Sequence, residues 1–178
     1  MTVLYLIGSL RNPDISELSN LLQNETGYEI FSSWKSPGPT ADDEWRDYAK
    51  ARGWSYREAL REYAATHVYE FDKFHLDRAD AAILVMPAGK SGHMELGYMI
   101  GQGKPCFYLL EPDNERWDVM IQLCFENGGN VCSSVDELLE SLEKLEEVSN
   151  AKPNYDLSAV CSPDDIYYKG KWSIGKVK

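Results

Sequence analysis

Short apolar runs alternate with longer segments of helical period along most of the chain. The runs "VLYLIGS" (3–9), "YEIFSSW" (28–34), "AAILVMP" (81–87) and "PCFYLL" (105–110) have the length and composition of strands. The third is almost continuously apolar, as a strand covered on both faces should be. Helical spacing fits between them, over about 15–25, 56–79, 92–102 and 115–127. In "SSVDELLESLEKLEEV" (133–148), Leu138, Leu139, Leu142, Leu145 and Val148 form one stripe opposite the acids, after a Ser/Asp start that suits a helix N-terminus. Residues 35–55 break the alternation. Their Pro and Gly punctuation predicts a long loop with one helical turn, which would serve as a substrate lid or be a plain insertion.

Strand and helix in alternation predict an α/β chain, a single domain with a mainly parallel five-stranded sheet, right-handed crossovers and helices on both faces, of the flavodoxin/Rossmann-like kind. A length of 178 residues suits one domain. We expect it over 1–149, with a C-terminal extension over 150–178 that is basic at its end: beyond Asp165 come four lysines and no acid. The net charge of −11 argues against a nucleic acid polymer as partner, because phosphate backbones are bound by basic surface. No run approaches the roughly 18 apolar residues of a membrane span, and the first residues enter a strand without the pattern of a secretory signal, so no membrane partner and a cytoplasmic location are expected. Cys106, Cys124, Cys132 and Cys161 are scattered, without metal-ligand spacing or a disulfide framework, and are expected to be reduced thiols.

The segment "LVMPAGKSGHMELGYMIGQGKP" (84–105) carries the chemistry question. Gly-Lys-Ser after a strand suggests a phosphate-binding loop, but G-x-x-x-x-G-K-[ST] needs a glycine where Leu84 stands. What remains is a strand, a turn of small residues and a helix beginning near Gly92 with Glu95 in its first turn. Ligands of open α/β sheets collect at the carboxyl edge of the strands, where free N–H groups of a helix start favour anions. Glu95 is thus expected at the ligand edge, ionised with the help of the helix dipole, and an ionised carboxylate there can attack an electrophilic sugar carbon. Spacing alone is better met by a Glu that only favours the helix start.

Three segments, in order, carry a resemblance. "PAGKSGHMELGYMIGQGKP" resembles the strand, turn, E-L-G helix and G-K-P close of the nucleoside 2-deoxyribosyltransferase family. "YLIGSLRN" (5–12) is similar to that family's first strand and loop, closest to the form in its nucleoside 5′-monophosphate N-glycosidase branch. "YEFDKFHLDRADAAILV" (69–85) resembles the family helix in which an Asp lies eight residues before the Asp opening the next strand, here Asp72 and Asp80. The resemblance spans roughly residues 3–110. It implies that Glu95 is the nucleophile at the anomeric carbon, that Asp72 handles the proton of the base and that Tyr5 orients the nucleophile. It further implies that Gly8, Ser9, Leu10 and Arg11 line the sugar or phosphate side, with Ser91 and Gly92 offering donors. Such chemistry needs two carboxyl groups in different protonation states, so Asp72 has to be protonated when it donates. His75, His93, Met94 and Tyr98 are read as packing or helix-surface residues, and Arg11 has a local acid as its alternative partner.

The resemblance implies a small-molecule nucleoside or nucleotide as substrate and a homodimer or higher homo-oligomer; no metal or organic cofactor is expected, because the carboxylates lack the His-rich or clustered-Asp spacing of a metal site. Nucleoside-type members often have an acid in the turn before the Glu, where this chain has Ala88-Gly89-Lys90-Ser91; that change, with Arg11, suits a phosphate. Yet the nucleotide branch commonly has Ser where Gly89 stands. The expected activity is cleavage of the N-glycosidic bond of a nucleoside or its 5′-monophosphate, with the sugar passed to another base or to water. The alternatives are a non-catalytic nucleotide-binding module on the same fold and, behind it, an NAD glycohydrolase.

Overall fold

A computed structural model of the protein describes residues 1–111 and 117–145. Five strands form one sheet: β1 (Val3–Ile7), β2 (Glu29–Phe31), β3 (Ala81–Val85), β4 (Cys106–Leu109) and β5 (Asn130–Cys132). Their order is β2-β1-β3-β4-β5 and every pairing is parallel, with Tyr5 opposite Phe31 on one side and Ala82 on the other. This is the single parallel α/β sheet that the alternation predicts. All five residues of β3 are buried, in keeping with its apolar run. β5 has no counterpart among the apolar runs, because "NVC" is too short to stand out. It is anchored where Gly129 lies against the carbonyl oxygens of Cys106 and Cys124, a contact that leaves no room for a Cβ.

The helices divide between the two faces. On one, α1 (Ile15–Thr26) and α6 (Val135–Glu143) cover Leu4, Leu6, Ile83 and Phe107. On the other, α4 (Tyr63–Arg78), α5 (Lys90–Gly101) and a 3-10 segment, Val119–Gly128, cover Tyr5, Ile7, Leu84 and Tyr108. α5 lies close on the sheet: a Cβ at Gly92 would stand 3.0 Å from Ile7 and 3.1 Å from Leu84.

Three expectations are corrected. Residues 35–55 are not mainly loop: α2 (Ala41–Ala51) fills much of the stretch, with Asp42, Asp43 and Glu44 in the first turn where the helix dipole favours acids. The helix expected over 56–79 is two, α3 (Tyr56–Ala59) and α4. Ser55 and Glu58 form a capping box that starts α3, and Glu62 is extended, which re-aims the chain onto the sheet. The helix expected over 115–127 is the 3-10 segment, in which only Cys124 is buried and Asn127 has a positive φ of 54°, so no apolar stripe holds a regular α-helix. The extension expected over 150–178, with Cys161 and Val148, lies outside the described residues.

Candidate active site

In a sheet of this order, β1 and β3 are the strands from which the chain departs in opposite directions, and the crevice between their carboxyl ends is where ligands are held. The loop after β1 (residues 8–14) and the turn after β3 (residues 86–89) border that crevice. Tyr5 comes from β1, Asp72 from α4 and Glu95 from α5, three elements joined only by the fold. Tyr5 is 1% exposed, and Asp72 and Glu95 are half-buried.

Asp72 is close enough to act on the ionisation of Glu95, and both acids act on that of Tyr5. Burial, with Asp72 adding to it, pushes the Glu95 carboxyl up to about 7. Burial pushes Asp72 up to about 6. The Tyr5 phenol is raised by burial, then by Glu95 and Asp72, and stays neutral. One oxygen of Asp72, Oδ1, is buried with no hydrogen-bond partner. Such a group carries a desolvation cost, largest in its ionised form. The expectation that the helix dipole keeps Glu95 ionised is corrected. α5 starts at Lys90 instead of near Gly92, so Glu95 falls in the second turn, beyond the reach of the dipole, and burial wins.

Gly8, Ser9 and Leu10 form the half-buried loop after β1, and Ser9 Oγ accepts a hydrogen bond from the Arg11 backbone at 3.2 Å. Arg11 is exposed and engaged: its guanidinium donates to Asp43 at 2.9 Å and lies 3.7 Å from Asp42, both in the first turn of α2. Ser91 is exposed and Gly92 buried in the first turn of α5. The peptide between Met86 and Pro87, in the turn after β3, is cis.

Several contributors escaped the sequence reading. Phe31 stacks on His75 with ring centroids 3.7 Å apart and lies 5.0 Å from the Tyr5 ring, so an aromatic wall stands beside Asp72. His75 Nδ1 accepts from Arg78 at 2.8 Å, and Arg78 also bonds Glu29; burial and the Arg78 charge both lower the His75 pKa, keeping the ring neutral. Trp34 donates its indole N–H to the Leu6 carbonyl at 2.7 Å, beside Gly8. In the sequence it closes the apolar run 28–34 expected as a strand, whereas in the structure it lies in a 3-10 turn, Ser33–Lys35, beyond β2. Among the described residues no group of three or more His, Cys, Asp or Glu is arranged to hold a metal, and no helix is long and apolar enough to cross a membrane.

No family model matches the sequence, and no curated protein matches it. Solved structures are similar in fold. A conserved protein from Enterococcus faecalis V583 is 12% identical, with 81% of this chain and 98% of that one covered, at a TM-score of 0.56. A 2-deoxyribosyltransferase from the psychrotolerant bacterium Bacillus psychrosaccharolyticus is 16% identical, with 78% and 90% covered, at 0.51. A CMP N-glycosidase from Clostridium botulinum is 17% identical, with 80% and 99% covered, at 0.46. For the first two, at these identities, the likeness is one of fold.

Proposed function

We propose that this protein cleaves the N-glycosidic bond of a nucleoside or nucleoside 5′-monophosphate through a glycosyl-enzyme intermediate on Glu95. The observation that carries the reading is a pair of half-buried carboxyls, Asp72 and Glu95, raised into the neutral range beside the buried Tyr5 at the β1/β3 crevice. Perturbed acids gathered in a cleft are characteristic of catalytic sites. The fold likeness to a 2-deoxyribosyltransferase agrees with this reading.

Burial raises both acids, Glu95 the more, so in the free site the retained proton sits mainly on Glu95, and substrate binding has to shift it to Asp72 before the nucleophile can act. Ionised Glu95 attacks the anomeric carbon as the carbon–nitrogen bond breaks; the bond's electron pair leaves with the base, which takes the Asp72 proton. A second base, or water, then attacks the same carbon, gives a proton back to Asp72 and releases Glu95. Tyr5, a neutral phenol facing both acids, orients Glu95. Ser91, Gly92 and the loop of Gly8, Ser9 and Leu10 border the sugar. Arg11 reaches a 5′-phosphate by exchanging Asp43 and Asp42 for it, and exposed pairs of this kind are weak and salt-screened. The outer surfaces of α4 and α5 leave Phe74 (64%) and Met94 (76%) exposed, which suits a homodimer or higher homo-oligomer, to be read by light scattering.

The test is base release, followed by liquid chromatography, from deoxyribo- and ribonucleosides and their 5′-monophosphates, with and without an acceptor base. Release from one class by the wild type, reduced at least about 10³-fold in Glu95→Ala, is the expected outcome. Absence of release from every substrate, with nucleotide binding retained, overturns the reading in favour of a binding module.

A further inference from the structure

Resting on the reading above, we propose that Asp77, Lys73 and Tyr98 form a clasp between α4 and α5 that sets the separation of the two carboxyls, making these three positioning residues for the reaction. The two helices share little backbone contact, and of the sixteen residues of α4 only Leu76 is fully buried. Apolar packing therefore leaves the placement of α4 beside α5 weakly determined.

Polar bonds supply what packing does not. The Asp77 carboxylate accepts from the Tyr98 hydroxyl of α5 at 2.6 Å on one oxygen and from the Lys73 ammonium at 2.5 Å on the other, with the Gln102 amide at 3.4 Å. The Lys73 ammonium also stands 4.6 Å from the centre of the Tyr98 ring. Just beyond α5, the Lys104 ammonium donates to the last carbonyls of α4, those of Leu76 at 3.2 Å and Asp77 at 2.8 Å. Each bond is partly exposed and weak by itself, but their convergence on one carboxylate and one helix end ties the same two elements several times.

The sequence spacing places this tie next to the chemistry. Lys73 follows Asp72, and Tyr98 lies one helical turn beyond Glu95. The clasp thus lies C-terminal to the reacting group on both helices, toward the amino ends of the strands, and leaves the crevice side open. Lys73 and Tyr98 hold the Asp77 acid down to about 2, so the clasp does not titrate where the active carboxyls do. The other titratable groups near the pair are Tyr5 from β1, neutral, and His75 on α4, held neutral by burial and then by Arg78. The requirement is strict because misplacement by about 1 Å costs roughly a hundredfold in rate.

The test compares Tyr98→Phe, which changes no charge, and Asp77→Asn with wild type. Two readouts are taken: kcat and KM for the substrate found above, and the titration of the Asp72 and Glu95 carboxyl carbons by NMR, which needs no turnover. We expect kcat to fall about 10- to 100-fold with a smaller change in KM. The Asp72 and Glu95 titrations should move down toward the ordinary carboxylate range as the helices part and water enters. Asp77→Glu, able to keep both bonds, should recover part of the rate. Unchanged kcat and unchanged titrations in a folded Tyr98→Phe protein overturn the clasp, as does a loss of rate with unmoved titrations. If Glu95→Ala retains full activity, it is the assignment of the nucleophile that fails, and the NMR titrations still decide on the clasp.

Discussion

Along β1, Leu4 and Leu6 enter the layer beneath α1 and α6, whereas Tyr5 and Ile7 enter the layer beneath α4 and α5. The first layer is mainly aliphatic: Ile15, Leu18 and Leu22 from α1 interlock with Leu138 and Leu142 from α6 over Leu4, Leu6 and Ile83, with Phe107 and Tyr28 among them. In the second layer α4 contributes one fully buried side chain, and the space near Tyr5 is occupied by Phe31, the His75 ring and two raised carboxyls. Apolar burial holds helices without regard to angle or charge, and it dominates where nothing has to react. Where two acids must be kept at a set separation in a half-dry crevice, directional bonds take over and stability is lost to the desolvation of the acids.

The sharpest way to test this division is to cut one residue from each layer. Asp72→Asn should lower base release about 10²- to 10⁴-fold, the usual span for a lost general acid, while leaving the fold intact. Much of that loss should disappear with a substrate whose leaving base needs no proton. Leu138→Ala, in the aliphatic layer, should do the reverse. Deleting a fully buried Leu costs about 2–5 kcal/mol in stability, read by denaturant titration, with kcat per folded molecule unchanged.

A smaller effect separates the layers by pH. The Glu95 acid is raised above its ordinary value of about 4.3, so the folded state binds its proton more tightly than the unfolded one. That contribution to stability is fully present below about pH 4 and is lost as the pH rises through about 7. Glu95→Gln, which cannot ionise, should therefore melt a few degrees above wild type at pH 8 and close to it at pH 4. Equal melting temperatures at both pH values would mean that the crevice does not desolvate Glu95.

The central strands were readable in the sequence because burial on both faces demands uninterrupted apolar residues: "AAILV" could serve in few other places. α6 was readable for a related reason, its leucine stripe against acids. Residues 35–55 misled because Pro and Gly near their start suggested loop throughout, while the helix-forming signal, three acids in a first turn followed by Trp45, Tyr48 and Ala49, came after them. For the site, Glu95 and Asp72 were reached through a resemblance in motif order. The helix register that takes Glu95 out of the dipole's reach had no sequence signature; an acid as partner of Arg11 was expected as an alternative, but its identity, Asp43 on α2, 32 residues along the chain, was not.

The sequence by itself determined the sheet and its apolar centre, since hydrophobic period and run length are local properties that one fold class satisfies. It also placed Glu95 at the carboxyl edge of the sheet, because this residue follows a strand and opens a helix, whereas Asp72 rested on the resemblance in motif order. Only the tertiary structure decided how those acids ionise and what holds them. Burial depends on which elements pack over Tyr5, and the bond of Asp77 to Tyr98 joins residues whose separation along the chain says nothing of their meeting, unlike the i,i+4 pair that Asp77 makes with Lys73.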